Sequence, residues 1–314
     1  MARIHELIRR QGEALDRLED REVRAMLRAY DDARRELAED LERMAASGLD
    51  RATPFTAQHL RATMAQIEAG AKRMERRLGD VLSPAIGRAQ ARSLEDLLQV
   101  ISSKEREFRD AGGRIEQEVL RRFSEDRGLL LHEHSIQRYG RDVVNRIQRE
   151  LVVGVTRGQT WRQVAKRITG RDDSVLAGMK ARGELIVRME LNGAYNDAHL
   201  TGIKSAASVL DEAHPGDPLG KKADEFRDLR NHALSRVLTG QWQLPNDPFR
   251  VSVAEVRAEH ERLQEQRKAR KLKPRRLTGT LWEQVGGYYV GNNYPAHYYD
   301  RGRIVPWRQS WGED

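Results

Sequence analysis

Apolar residues in the first part of the chain recur mostly at steps of three and four positions, from Ile4 to Met44. This spacing places them on one face of an α-helix, so it predicts a single long amphipathic helix. The helix is expected to end near Ser47-Gly48, because glycine readily adopts the left-handed conformation that closes a helix. A second helix is predicted to begin around Thr53–Thr56 and to run towards Leu78.

Ser83-Pro84 marks the predicted start of a third helical stretch, which reaches Ile101. Gly112-Gly113 then interrupts the pattern before it resumes as far as Phe123. Residues 1–125 are therefore expected to form a hairpin or bundle of long helices. Because the apolar stripe is narrow and the opposite face is charged, these helices are expected to pack on one another or, as coiled coils, on other copies of the chain.

The following segment has a denser apolar face, which indicates a compact helical core over residues 126–210. Within it, Trp161–Ile168 is predicted to form a short helix with Thr160 as its N-cap. A longer helix is predicted from about Ser174 through Ile203.

Beyond Leu210 the pattern changes to turn residues, then a very polar helix predicted over Val253–Leu272, then β-type residues in Tyr288–Trp311. The sequence therefore predicts a mainly α-helical protein with a small α+β C-terminal part that contains short strands. Three consecutive domains are expected, covering residues 1–125, 126–210 and 211–314.

The composition excludes several kinds of chemical site but does not indicate a particular function. The absence of cysteine excludes disulfides, thiolate metal sites and cysteine nucleophiles, and is compatible with a reducing compartment. The charged N-terminus lacks the apolar segment of a signal peptide, and no run approaches the ~20 apolar residues that a membrane-spanning helix needs. Synthesis in the cytoplasm and no membrane partner are expected.

The formal charge of +8 favours polyanionic partners, although the cations are spread among 48 acidic residues. The strongest local excess is the run Arg267–Arg276. It suits contact with nucleic-acid phosphates without base recognition, and it equally suits a solvated helix end that complements the helix dipole. The candidate DNA contacts are Arg267, Lys268, Arg270, Lys271, Lys273, Arg275 and Arg276.

Eight tryptophan and tyrosine residues lie between positions 282 and 311. Such a cluster forms either a small core or a protein interface, and the interface is the interpretation favoured here. Trp307 and Trp311, four positions apart, are the expected anchors for a partner. The candidate interface residues are Trp282, Tyr298, Tyr299, Trp307 and Trp311.

The predicted helix between residues 186 and 198 carries polar residues at helical spacing, namely Arg188, Asn192, Tyr195 and Asn196. Small residues accompany them at Ala194 and Ala198, which permits close approach of another element. This combination is more typical of an interface between elements than of a solvent-facing surface.

The pattern Arg188-x-Glu190-x-x-x-Ala194-x-Asn196-x-Ala198 resembles the central signature of the phage head morphogenesis family, the Mu gpF-like minor head proteins. Upstream, Gly158–Ile168 is similar to the short helical unit that precedes the signature. Downstream, Tyr294–Trp307 is similar to the family's Pro-x-His motif. The resemblance covers about residues 136–311, and its residues here are Arg188, Glu190, Ala194, Asn196, Ala198, Pro295, His297, Asp300 and Arg301.

The resemblance implies a low-copy internal head protein that contacts the portal, enters the procapsid and influences DNA packaging or ejection. It implies no catalysis and no cofactor. Implied partners are the portal protein, a major capsid or scaffold protein, packaged double-stranded DNA and further copies of the chain. Many relatives carry cysteines where this chain has Asp211–Asp217 and Asp300, so no metal site is carried over.

Two other functions stay open. The first is a non-specific nucleic-acid-binding protein without a role in the capsid, which would rest on the basic run. The second is a metal-dependent nuclease, since imidazole and carboxylate groups suit divalent metals. Its candidate ligands are His214, Asp217, Asp224, His232, His297 and Asp300. The sequence contains no His-Glu-x-x-His motif, phosphate-binding glycine loop or nucleophile elbow.

Overall fold

The computed structural model describes residues 2–46, 57–104, 129–169, 174–211, 216–224, 233–274, 283–286, 288–291 and 303–312. Over these residues the protein is mainly helical, with short antiparallel strands in its C-terminal part. The predicted fold class is confirmed.

The helices account for most of the described chain. They are α1 (Ala2–Ala46), α2 (Ala57–Lys104), α3 (Leu129–Thr156), α4 (Trp161–Thr169), α5 (Val175–Leu210), α6 (Ala233–Leu238) and α7 (Val253–Ala269). A short 3-10 helix follows at Gln309–Gly312. In the described parts of the chain, no helix combines the length and apolar character needed to cross a membrane.

Helix α1 matches the predicted first helix, whereas α2 differs from its prediction. The expected boundary at Ser83-Pro84 is absent, and α2 passes through Pro84 without ending. Proline removes one intrahelical hydrogen bond and disfavours a helix interior by about 3 kcal/mol. Leu82 and Ala85 on either side are buried, and packing of the same stripe before and after Pro84 offsets that cost.

The start of α4 follows the predicted capping by Thr160, and α5 begins with a serine cap that was not predicted. Thr160 and Gln163 form a reciprocal capping box, in which the Thr160 hydroxyl accepts from the Gln163 N–H at 3.4 Å and the Gln163 side chain accepts from the Thr160 N–H at 2.9 Å. The Ser174 hydroxyl accepts from the Ala177 N–H at 3.1 Å. These bonds satisfy N–H groups that a helix start leaves without partners.

Six strands are described, and they form two three-stranded antiparallel sheets. They are β1 (Gly220–Asp224), β2 (Trp242–Gln243), β3 (Phe249–Ser252), β4 (Glu283–Val285), β5 (Tyr288–Gly291) and β6 (Arg303–Trp307). One sheet has the order β2-β1-β6, with Lys222 opposite Val305, and the other has the order β3-β5-β4. The predicted short strands in the C-terminal tail are confirmed.

Two compact units divide the chain differently from the three consecutive domains that the sequence predicted. The first unit comprises residues 1–18, 86–128 and 188–314, and the second comprises residues 19–85 and 129–187. Helices α1, α2 and α5 each contribute residues to both units. The prediction assigned each helix to a single domain, but a helix of 45 residues such as α1 is long enough to pack against different neighbours along its length.

The core of the first unit gathers apolar side chains from α1, α2, α5, α6 and α7 and from strands of both sheets. Leu97, Ile203 and Phe249 are among its fully buried members. Gly202 lets α5 approach α2 closely, because a Cβ at this position would overlap the Leu97 side chain.

The core of the second unit contains two buried tyrosines whose hydroxyls are satisfied by α5. Tyr139 donates to the Met179 carbonyl at 3.0 Å, and Tyr30 donates to the Leu176 carbonyl. The two rings meet edge to face, with 6.5 Å between centroids. Burial raises the pKa of both phenols, so they act as neutral hydrogen-bond donors.

Candidate functional site at the signature helix

The polar face that the sequence placed between residues 186 and 198 is buried inside the first unit. Asn192, Tyr195, Asn196 and His199 lie at three- and four-residue steps along α5, and none is more than 1% exposed. Burial of unsatisfied polar groups is costly, so a face of this kind requires internal hydrogen bonds. Of the other signature residues, Ala198 is fully buried, whereas Arg188, Glu190 and Ala194 are half-buried.

Asn196 joins α5 to strand β6. Its side-chain oxygen accepts a hydrogen bond from the Ile304 N–H at 2.8 Å. Its amide nitrogen donates to the Asn192 carbonyl at 3.0 Å and also contacts the Asn192 side-chain oxygen. One side chain thus satisfies a strand N–H that would otherwise be buried without an acceptor.

Tyr195 joins α5 to helix α2 through a buried carboxylate. The Tyr195 hydroxyl donates to Asp96 Oδ2 at 2.9 Å, and an Arg92 nitrogen lies 2.8 Å from Asp96 Oδ1. The backbone carbonyl of Asp96 accepts from the Gln11 side chain at 3.0 Å, which brings α1 into the same group. Three helices are therefore linked around Asp96.

Ser93 and His199 form a second link between α2 and α5. The Ser93 hydroxyl donates to the Tyr195 carbonyl at 2.7 Å and lies 2.9 Å from His199 Nδ1. A hydroxyl has one hydrogen and the carbonyl can only accept, so Nδ1 must carry the proton and donate to the Ser93 oxygen. The imidazole also stacks on the Tyr195 ring, with 5.4 Å between centroids and 17° between planes.

Burial dominates the titration of these groups. It lowers the pKa of His199 to about 3, with the positive charge of Arg303 acting in the same direction, so the imidazole is neutral at physiological pH. Burial raises the pKa of Asp96 despite the neighbouring Arg92, and it raises the pKa of Tyr195 well above its ordinary value.

Arg303 places a charged side chain at the start of β6 within the same region. Arg303 is 4% exposed, and its guanidinium donates to the Ile8 carbonyl in α1. Gly12 permits this arrangement, because a Cβ at that position would overlap the guanidinium. We call Gln11, Arg92, Ser93, Asp96, Asn192, Tyr195, Asn196, His199 and Arg303 the signature network.

The signature network links α1, α2, α5 and β6, and its members on α5 are buried from solvent. Ser93 and His199 have the proximity of a nucleophile and its general base. However, Ser93 is fully buried and its hydrogen is committed to the Tyr195 carbonyl. The chemistry that this arrangement supports is internal hydrogen bonding between α1, α2, α5 and β6.

Comparison of the chain with protein-family models, with curated proteins and with solved structures finds no match. The likeness to the head morphogenesis family therefore rests on the motif residues and stays a prediction.

Several residues singled out from the sequence lie outside the described residues. From the family pattern these are Pro295, His297, Asp300 and Arg301. From the interface, DNA-contact and nuclease predictions they are Trp282, Tyr298, Tyr299, Arg275, Arg276, His214 and His232.

Trp307 and Trp311 correct the expectation that they anchor a partner protein. They are 6% and 5% exposed and belong to the core of the first unit. The Trp307 carbonyl accepts from the Trp242 indole N–H at 3.0 Å, and the Lys222 ammonium lies 3.7 Å from the centre of the Trp307 ring. These two aromatics of the tail build the chain's own core, which was the alternative left open by the sequence.

Of the carboxylates proposed for a nuclease, Asp217 has a structural role in the described part of the chain. Asp217 accepts from the Gln309 N–H at 3.1 Å and from the Ser310 hydroxyl, so it caps the C-terminal 3-10 helix. Asp224 ends β1 opposite Arg303. Over the described residues, no group of three or more histidine, aspartate or glutamate side chains is arranged to hold a metal ion.

The described part of the basic run Arg267–Arg276 is mostly exposed to solvent, unlike the buried polar face of α5. Lys268, Arg270, Lys271 and Lys273 are exposed at the end of α7, and Arg267 is half-buried.

Six members of the signature network were missed by the sequence analysis: Gln11, Arg92, Ser93, Asp96, His199 and Arg303. His199 carried a usable signal, since it continues the spacing of Asn192 and Tyr195 by another turn. Ser93 and Asp96 carried a weaker one, as polar residues within the apolar stripe of α2.

Proposed function

We propose that this chain is a minor head protein of a tailed bacteriophage, located in the head interior or at the portal. It acts by binding during head assembly and during DNA packaging or ejection, and not by catalysis. Its main partner is the portal protein, with capsid or scaffold protein, packaged DNA and further copies of the chain as additional contacts.

The observation that carries the proposal is the hydrogen bond from the Ile304 N–H to Asn196. Asn196 belongs to the central signature, and Ile304 lies in the downstream segment Tyr294–Trp307 that is similar to the family's Pro-x-His motif. The two pieces were recognised separately and are 108 residues apart in sequence. Their direct contact supports treating them as parts of one family pattern.

The structural role of the signature network also supports binding in preference to catalysis. The polar residues of the signature form hydrogen bonds within the fold, so their role is to stabilise it. Function then depends on the surfaces that the fold presents. A structural head protein needs such a scaffold and docking surfaces.

The test is co-purification of the tagged protein with the portal protein of the same genome, at low and high salt and with nuclease added. The expected result is association in a fixed ratio that survives both treatments. Recovery with nucleic acid alone, lost at high salt, would overturn the proposal and support a nucleic-acid-binding protein without a capsid role. The exposed cations at the end of α7, Lys268, Arg270, Lys271 and Lys273, are the observation that favours this second candidate.

A further inference from the structure

Most of the charged surface of the long helices is balanced. On α1, Glu6 lies 2.7 Å from Arg9 and 2.9 Å from Arg10, and Arg35 lies 3.5 Å from Asp32. Pairs of this kind at three- and four-residue spacing are ordinary on solvated helices. They explain a high charge content without any external partner.

The end of α7 departs from this balance. Residues 267–273 contain five cations, and no acidic residue occurs between positions 266 and 274. In the described part of the chain, no ion pair joins Lys268, Arg270, Lys271 or Lys273 to a carboxylate. Nearer the start of the helix the pattern is the usual one, since Arg262 lies 3.0 Å from Glu259. We call residues 267–273 the basic end.

The basic end is an ordered turn. The Leu272 N–H donates to the Arg267 carbonyl at 2.9 Å, and the Lys271 N–H donates to the Lys268 carbonyl at 3.0 Å. This is the bonding of a Schellman-type C-cap. The Arg267 Nε–H also donates to the Lys273 carbonyl at 2.8 Å, which fastens the chain beyond the cap to the helix.

Lys271 occupies a position where glycine is usual. Its φ angle is +55°, in the left-handed region that closes such a cap. A side chain in this region costs roughly 1 kcal/mol relative to glycine. The fold alone would therefore be better served by glycine, and a lysine here indicates that the cation contributes something other than stability.

The helix dipole accounts for only part of the basic end. It favours cations within the last turn of a helix, which here includes Arg267 and Lys268. The effect falls off beyond that turn, whereas Lys271 and Lys273 lie past the final helical residue, Ala269. Two cations thus remain without an explanation from helix stability.

The packing of α7 favours nucleic-acid phosphates over a membrane as the anionic partner. Its buried apolar residues, Val253, Val256 and Leu263, pack into the first unit. An amphipathic helix that binds a membrane needs a free apolar face, and α7 has used its own in the core. Contact with phosphates needs only projecting cations on a fixed support, which Arg236 reinforces through an ion pair with Glu259 at 2.6 Å.

We propose that the basic end is a binding surface for the phosphate backbone of double-stranded DNA, without recognition of base sequence. Duplex DNA carries one negative charge per roughly 1.7 Å of its axis, so a cluster of closely spaced cations can contact several phosphates at once. The proposal deepens the proposed function and rests on it for its setting, the packaged DNA of a head. The binding itself is a property of the purified chain.

The experiment measures binding of the purified full-length protein to a fluorescent duplex of random sequence by anisotropy, between about 50 and 200 mM salt. The test variant carries Lys268→Gln, Arg270→Gln, Lys271→Gln and Lys273→Gln. The matched control carries Arg17→Gln, Arg24→Gln, Arg28→Gln and Arg35→Gln, four exposed cations of α1 with acidic residues three or four positions away. Both variants lower the formal charge of +8 by the same amount.

The expected result is specific to the basic end. The slope of log affinity against log salt should fall in magnitude by about 3 to 4 in the test variant, as expected for the loss of four phosphate contacts at about 0.9 each. It should change little in the α1 control. Circular dichroism of both variants should match the parent protein.

The substitution Lys271→Gly separates binding from folding. Glycine relieves the left-handed strain, so the melting temperature should rise, while the loss of one cation should lower the salt slope by about 0.9. A variant that is more stable and binds DNA less well cannot owe its weaker binding to unfolding.

Three outcomes would overturn the inference. Equal weakening in the test and control variants would show that only net charge matters. An unchanged salt slope in Lys271→Gly would remove the residue on which the argument depends most. Binding to vesicles of anionic lipid, lost in the test variant while DNA binding is kept, would assign the surface to membranes. None of these results bears on portal co-purification, so this inference and the proposed function fail separately.

Discussion

Two regions of the molecule are polar: the buried face of α5 and the basic end of α7. The face of α5 consists of Asn192, Tyr195, Asn196 and His199. The two regions differ in whether their polar groups are buried and paired or exposed to solvent. The α5 face buries its groups and pairs them internally. The basic end instead exposes Lys268, Arg270, Lys271 and Lys273, which have no carboxylate partner among the described residues. Buried, paired groups hold elements in register, and exposed, unpaired charges remain available to another molecule. We therefore expect substitutions in the first region to change stability and substitutions in the second to change binding.

The largest expected effect is that of Asp96→Ala. It removes the carboxylate that joins Arg92 to the Tyr195 hydroxyl, and loss of one partner of a buried pair typically costs about 3 kcal/mol. Urea unfolding followed by tryptophan fluorescence measures it, because four of the five tryptophans fall in the segments of the first unit. The control is Glu95→Ala at the neighbouring exposed position, where a loss below about 0.5 kcal/mol is expected. Equal losses would contradict the contrast between buried and exposed groups.

The pH dependence of stability tests the buried imidazole. The pKa of His199 is about 3 in the folded protein and about 6.5 when unfolded. As pH falls below 6.5 the unfolded state binds the proton first, so stability is lost progressively between pH 6.5 and pH 3. The loss at pH 5 is about 2 kcal/mol.

The substitution His199→Gln isolates this contribution from that of Asp96. Burial raises the pKa of Asp96, so its protonation stabilises the folded state in acid and opposes the effect of His199. The difference in pH dependence between the parent and His199→Gln cancels the Asp96 part. Parallel stability curves from pH 7 to pH 4 would show that His199 is not held neutral.

A smaller effect is expected for Asn196→Ala. It leaves the Ile304 N–H buried without its acceptor, which costs roughly 1 to 2 kcal/mol. Asp197→Ala, at the exposed adjacent position of α5, should cost well under 1 kcal/mol. Hydrogen exchange at the Ile304 amide adds a direct measurement, since its protection should fall in Asn196→Ala alone.

The sequence predicted the helices and their caps better than it predicted the packing between them. The bounds of α1 and the cap of α4 follow from local spacing and capping residues, which the chain displays within a few positions. The continuity of α2 through Pro84 does not, because it depends on what packs on either side of the proline. A proline marks a boundary only when nothing offsets its missing hydrogen bond.

Local sequence patterns do not show which residues, distant in the chain, become hydrogen-bond partners in the fold. The spacing of Asn192, Tyr195 and Asn196 predicted a polar face on α5, but Ser93 and Asp96 lie about a hundred positions earlier in the chain. Trp307 and Trp311 show the same limit in another form. A protein core and a protein interface both select clustered aromatics, so the pattern alone did not justify the preference for an interface.

The smallest expected effect on stability completes the comparison. In the variant with Lys268→Gln, Arg270→Gln, Lys271→Gln and Lys273→Gln, the free energy of unfolding should stay within about 0.5 kcal/mol of the parent, because exposed cations without partners contribute little to the folded state. The lost helix-dipole interaction and the relieved repulsion between like charges act in opposite directions. Urea unfolding at low and high salt checks this. A loss above about 2 kcal/mol would mean that the basic end stabilises the fold, and its cations would then resemble the signature network in role despite their exposure.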